Sequence, residues 1–344
     1  MRLFTICIYC LVLLTGSVSA ADKLSEAVRK AAADFSPWLV RIDTIGGYDK
    51  VGSELANEGA TTGILLDRDG HIITSSFNFL HDPSSILVRL DDGTRRAAKK
   101  IATDSNRMLT LLKIELPVTF EYKDMVRHVS KNDVRVGQWA IAVGFALSSD
   151  EPNVSLGIIS GKNRIWGKAI QTDAKISPNN YGGPLLDIQG RAIGVLVPLS
   201  LTSTEVAAGA EMYDGGVGLA VPLEDVFDIL DKLKSGVDMT PGILGVSFNE
   251  TEQFVGAPKV ESVLDDSPAK NAGMEKGDLI TKIDGKPTET ALQAITLIRS
   301  KYSDDSLEIT FDREGKETTF STKLIKKEPP KPSGNSAPTR RPVN

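Results

Sequence analysis

The stretch SPNNYGGPLLDIQGRAIGV, Ser177 to Val195, decides how this chain is read. Pro184–Asp187 and Ala192–Pro198 are apolar runs of strand length. Gln189-Gly190 between them is a tight-turn dipeptide, so the segment predicts a β-hairpin. Ahead of the hairpin, Tyr181 precedes a Gly182-Gly183 pair. Strand-like runs recur on both sides: Trp38–Ile42, Gly63–Leu66, His71–Thr74, Ser85–Leu90, Leu109–Ile114, Trp139–Val143, Val154–Gly161, Ala169–Thr172 and Gly218–Val221. Asp69-Gly70 and Asp92-Gly93 supply further turns, while Gly46 to Thr62 is polar and reads as a loop. Many short strands with few helices predict an all-β barrel or sandwich. Two helices flank this region. One runs from Asp22 to Phe35, with Leu24, Ala27, Val28 and Ala31 on one face. The other is amphipathic, from Leu223 to Leu233.

The 344 residues suffice for about two or three domains. A short linker, Ser235-Gly236 through Pro241-Gly242, leads to a second module. There Ser267-Pro268 opens a helix with a capping hydroxyl and a first-turn proline, and Gly273 stops it. Asp278–Ile283 is a strand followed by the hairpin signal Asp284-Gly285. Glu289 to Lys301 is a helix with Leu292, Ile295 and Ile298 spaced for one face. Leu307–Asp312 and Thr318–Leu324 pair around Glu314-Gly315. The tail from residue 327 to 344 is Pro-rich and polar and is expected to be disordered.

The first twenty residues, MRLFTICIYCLVLLTGSVSA, have the layout of a cleaved secretory signal: Arg2, an apolar run, then small residues. The run is shorter than the ~20 residues of a comfortable bilayer span; an uncleaved anchor is the alternative. Export to the periplasm or the medium is therefore expected, with no membrane span after cleavage. Both cysteines, Cys7 and Cys10, fall inside this segment, so the mature chain has no disulfide, thiol nucleophile or zinc–thiolate site. With 41% hydrophobic and 25% charged residues and a net charge of -5, the chain has no basic block to suggest nucleic-acid binding.

Six blocks in order give the chain a family resemblance: TTGILLDRDGHIITSS, LVRLDDGTRRAAKKIATDSNRMLTLLKIE, GQWAIAVGFAL, VSLGIIS, QTDAKISPNNYGGPLLDIQGRAIGV and SPAKNAGMEKGDLITKIDGK. It resembles the HtrA/Deg group, exported trypsin-like proteases with a C-terminal PDZ domain, from about Ala27 to Leu324. The resemblance implies a mainly β chain: a trypsin-like double six-stranded β-barrel followed by one PDZ (α+β) domain. The expected boundaries are a signal peptide over 1–20, the barrel domain over 21–236, the PDZ domain over 241–326 and the tail over 327–344.

The same resemblance locates a catalytic triad whose chemistry needs an attacking serine, a histidine base and an orienting aspartate. Those positions hold Tyr181, Phe77 and Met108, and the family's oxyanion-loop glycine is Asn179. None of the three can perform its role, although Asn179 tolerates the left-handed backbone the turn uses. His81 is the nearest alternative base, with a solvated loop histidine as the other reading; His71 reads as a strand-edge residue and His128 as part of a solvated loop from Lys123 to Lys131. No cofactor is expected, and no His/Asp/Glu set shows metal-ligand spacing. Phe77, Met108 and Tyr181 are large, so they are expected to fill the former cleft as packed core, the alternative being partly exposed neighbours.

In the PDZ module the resemblance puts the carboxylate-binding loop on Gly242-Ile243-Leu244-Gly245-Val246, with a peptide added beside Val246-Ser247-Phe248. Leu244, Val246, Leu292 and Ile295 are expected to line the apolar pocket, with membership of the domain core as the competing reading. Two functional readings remain. One is a pseudoprotease that binds peptides or protein C-termini as scaffold, regulator or chaperone-like factor, as a homotrimer through Phe35 and Trp38 or with an active HtrA relative; ordinary burial of both aromatics is the competing reading. The other is a serine endopeptidase with a relocated site.

Overall fold

The computed structural model describes residues 20–46, 50–51, 54–55, 60–79, 82–145, 151–199, 216–249 and 255–326. The expected leader, His81 and the Pro-rich tail lie outside the described residues, apart from Ala20 at the leader's end. The chain divides into two compact units, one ending at Asp238 and the other beginning at Met239.

Helix α1 (Ala20–Phe35) leads the first unit. Six strands follow: β1 (Leu39–Ile45), β2 (Ala60–Leu65), β3 (His71–Ser75), β4 (Ser85–Arg89), β5 (Arg95–Asp104) and β6 (Leu109–Ile114). They close into an antiparallel barrel in the order β1–β2–β3–β6–β5–β4, with β4 returning to β1. Alternation along each strand turns Val40, Ile42, Ile72, Val88 and Leu112 into its core. A second closed barrel is formed by β7 (Trp139–Gly144), β8 (Asn153–Asn163), β9 (Ala169–Thr172), β10 (Pro184–Leu186), β11 (Ala192–Leu196) and β12 (Gly218–Pro222). The hairpin read in the opening stretch is β10–β11, pairing Pro184 with Val195. Closure leaves neither barrel an open edge. Helix α2 (Leu223–Lys234) ends the unit with Val226, Ile229 and Leu233 buried.

Strand β5 has no counterpart among the expected strands. Its sequence, RRAAKKIATD, buries only Ala102 and Asp104, and its register shifts between Lys100 and Ala102. Phe35 and Trp38, open between a trimer surface and ordinary core, are buried in this chain with ring centroids 5.6 Å apart. The Trp38 Nε1 donates to the Asp124 carbonyl at 2.8 Å. The stretch from Lys123 to Lys131 is likewise no fully solvated loop: Val126 and Val129 are buried, and the His128 ring packs 5.1 Å from that of Phe227.

The second unit contains β13 (Gly242–Ile243), β14 (Val246–Phe248), β15 (Val260–Val263), α3 (Pro268–Asn271), β16 (Leu279–Ile283), β17 (Lys286–Pro287), α4 (Ala291–Arg299), β18 (Ser306–Arg313), β19 (Lys316–Lys323) and β20 (Ile325–Lys326). Strands β17–β16–β18–β19 form a four-stranded sheet, β14 pairs with β15, and β13 with β20. The Ser267 Oγ accepts from Lys270 N at 3.2 Å to cap α3, and Thr290 Oγ1 accepts from Gln293 N at 3.3 Å to cap α4. This is a mainly β chain of two six-stranded barrels and a small α+β module, as the sequence predicts.

Ile72 is fully buried at the centre of the first barrel, so Ile72→Ala is expected to cost about 2–5 kcal/mol. Tryptophan fluorescence in urea checks this on the barrel unit alone, because all three tryptophans, Trp38, Trp139 and Trp166, lie there.

Candidate functional site

The loop ahead of the β10–β11 hairpin is held from both barrels. Gly182 has φ +84, and a Cβ there would stand 2.2 Å from both the Thr62 carbonyl oxygen and the Thr74 Oγ1 of the first barrel. A Cβ on Gly183 would stand 2.2 Å from the Val143 carbonyl oxygen of the second. Only glycine fits at either position. Thr61 Oγ1 donates to the Tyr181 carbonyl at 2.9 Å, and Asn180 Oδ1 accepts from Ser177 N at 3.1 Å. Side 181 of this loop is therefore presented between the barrels.

The structure brings two of the three positions that the resemblance assigns to the triad into direct contact. Phe77, from a single 3-10 turn over Ser76–Phe79, meets Tyr181 edge-on with ring centroids 5.3 Å apart. Their exposures are 5% and 4%, and that of Met108 is 9%, so all three are buried. Met108 adopts φ 58 at the end of a turn that Asp104 organises by accepting the N–H groups of Asn106 and Arg107. Its carbonyl accepts from Ser76 N at 2.8 Å, which ties the turn to the backbone beside Phe77.

An oxyanion hole requires backbone N–H groups aimed at an incoming oxygen. Around Tyr181 they are engaged within the protein. The N–H of Asn180 donates to Ser177 O at 2.8 Å, of Tyr181 to Pro178 O at 3.2 Å, of Gly182 to Leu196 O at 2.7 Å, and of Gly183 to Asn180 O at 2.9 Å. The turn over Pro178–Asn180 thus takes up the backbone N–H of Tyr181 itself.

The described histidines are held elsewhere. His71 Nδ1 lies 2.9 Å from Asp67 Oδ2 at the β2–β3 turn, and His128 packs on Phe227. Contrary to the spacing expectation, Asp67, Asp69 and His71 do bring potential metal ligands within 4.8 Å of one another. Asp67 also pairs with Lys234 at 2.8 Å. Burial pushes the Asp67 carboxyl up, but Lys234 and His71 more than offset this and hold it below the usual carboxylate range. Lys234 and His71 thus already pair with the Asp67 carboxylate of this cluster.

In the second unit a groove of about 590 Å³ runs between β14 and α4. Of the residues predicted to bind peptide, Ile243, Leu244, Gly245, Val246 and Ile295 line it. Leu292 does not. It is half-buried, and the helix instead presents Ile295, Ile298 and Arg299. Leu244 belongs to both readings, since it lines the groove and is 1% exposed within the module's core. Gly245 shapes the loop: at φ +90, a Cβ there would stand 2.1 Å from the Ser267 Cβ. Its carbonyl accepts from Leu264 N at 2.8 Å, and that of Leu244 from Ala269 N at 3.0 Å, so the capped start of α3 braces the loop.

The fold and its two sites define the class: a trypsin-like peptidase domain, matched over residues 61–195, followed by a PDZ domain, matched over 242–324. The chain is homologous to the DegP/HtrA proteases. It is 30% identical to a probable periplasmic serine endoprotease, DegP-like, of Pseudomonas fulva, over 75% of this chain and 54% of that protein. It is 29% identical to a serine protease Do-like HtrA of Lactococcus lactis, over 80% of this chain and 72% of that protein. The chain spans about half the length of the DegP-like relatives. Among solved structures, the serine endoprotease of Yersinia pestis superposes with a TM-score of 0.63 at 21% identity, covering 88% of this chain and 98% of that one. The HtrA-type protease AlgW with a tripeptide gives 0.68 at 22% identity, over 88% and 98%. No described helix is long and apolar enough to cross a membrane.

Rebuilding a triad here replaces buried apolar volume with polar groups. The triple variant Phe77→His, Met108→Asp, Tyr181→Ser is expected to lose about 4 kcal/mol or more in urea unfolding. A variant as stable as the parent would show that these side chains do not support the cleft.

Proposed function

We propose that this protein is an HtrA-like pseudoprotease, an exported, non-catalytic receptor for peptides or protein C-termini. The observation that carries the reading is the nucleophile position. It holds a phenol, 4% exposed and in edge contact with Phe77, whose own backbone N–H is committed to Pro178. Tyr181 has no imidazole base beside it among the described residues, since His71 and His128 are engaged elsewhere. A phenol of ordinary pKa near ~10 is a poor nucleophile at neutral pH without such a base.

Recognition is supported in the other module. The groove of the PDZ domain keeps the backbone loop and apolar wall that let an extended peptide add as a strand, and AlgW was solved with a tripeptide. Bound chains would be held rather than cut, which suits a scaffold, a regulator of an active HtrA relative or a chaperone-like factor. The signal-like layout of the first twenty residues and the periplasmic DegP-like relatives support a site of action outside the cytoplasm.

The test pairs two assays on the chain from Ala21 onward. No turnover of casein and no labelling by a serine-reactive phosphonate are expected. A peptide ending in an apolar residue with a free carboxylate is expected to bind, and its amide to bind at least about tenfold more weakly. Phosphonate-sensitive turnover would refute the non-catalytic assignment, and equal affinity for acid and amide would refute the C-terminus receptor.

A further inference from the structure

We propose that Arg299 is a side-chain anchor for the terminal carboxylate of the captured peptide, acting beside the backbone of Ile243–Val246. This rests on reading the groove as a C-terminus receptor and adds a residue that the loop alone does not supply. Arg299 is the last residue of α4 and lines the groove together with Ile298, Ile243 and Leu244. The chain beyond it returns at once to the loop. Gly242 N donates to Lys301 O at 3.1 Å, and a Cβ on Gly242 would stand 2.5 Å from the Tyr302 carbonyl oxygen. The helix end and the carboxylate loop therefore share one end of the groove.

That placement has an electrostatic consequence. A helix C-terminus carries partial negative charge on its last carbonyls, which disfavours an anion nearby. A carboxylate brought to this end meets that repulsion unless a cation offsets it. Among the described residues, Arg299 is the one cation lining the groove; the other charged lining residue, Asp265, follows β15 on the strand wall. A guanidinium suits the task because its planar fork can take both carboxylate oxygens and stays charged at any working pH.

The experiment uses a fluorescein-labelled peptide ending in Val-Leu-Val, as free acid and as amide, titrated by anisotropy against the chain from Ala21 onward. Arg299→Gln is expected to weaken the acid roughly tenfold and to leave the amide unchanged, collapsing the preference between them. Arg299→Lys is expected to recover part of the preference, because a point charge replaces the fork. If Arg299→Gln keeps the parent's preference, or weakens acid and amide by the same factor, the anchor is refuted while the C-terminus receptor stands. A parent protein with no preference would overturn the receptor itself, and the anchor with it. Arg299 is exposed enough at the helix end for both variants to fold, and matching urea midpoints for the variants and the parent verify this.

Discussion

The architecture of the first unit rests on an approach too close for any side chain. Gly182 and Gly183 pass within van der Waals distance of Thr62 and Thr74 on one side and Val143 on the other. The backbone at 181 is thereby fixed between two barrels whose cores are otherwise separate. Thr61 and Thr62 reinforce this. Thr61 donates to the Tyr181 carbonyl, and the Thr62 Oγ1 accepts the Phe145 N–H at 2.9 Å. A side chain at 182 would push the barrels apart or unwind the loop, so the Gly-Gly pair is dictated by the fold whatever residue precedes it.

This separates shape from chemistry. The scaffold holds position 181 in place by backbone contacts, and nothing in those contacts depends on a hydroxyl nucleophile. What occupies the position must satisfy packing, and a ring opposite another ring does so. Edge-on aromatic pairs contribute about 0.5–1.5 kcal/mol beyond the area they bury. A triad needs the opposite: small or polar groups with room for a substrate carbonyl. Selection for stability and selection for cutting therefore pull in different directions at Phe77, Met108 and Tyr181, and the residues present satisfy packing.

Most of the fold was legible because the two signals it uses are local. Hairpin dipeptides such as Asp284-Gly285 take the positive φ values they imply, 50 and 72, and short apolar runs became strands. Strand β5 escaped because its code is inverted: its bulky residues are cations facing water, and a register shift breaks its alternation. Phe35 and Trp38 were candidates for a surface because a sequence shows aromatic content without showing what covers it. Leu292 and Ile298 illustrate the same limit. Both are spaced for one helical face, but which part of that face meets β14 depends on how the helix is seated. Arg299 gave no signal, since an arginine at a helix C-terminus is ordinary on dipole grounds alone.

In the PDZ domain the residues that line the groove are also the residues that hold the module together. Leu244, Phe248 and Ile298 belong to its buried core, with Val246 and Ile295 packed against it. A peptide side chain entering the groove lands on a surface already made rigid by folding, so little ordering entropy remains to be lost on the receptor side. It also means that the apolar floor cannot be varied freely to change selectivity without loosening the core. Selectivity is free to vary at the rim, where Ser247, Ser262, Asp265 and Arg299 contribute polar groups that the core does not require. In a module built this way, the floor that the core requires and the rim that it does not are separately open to change.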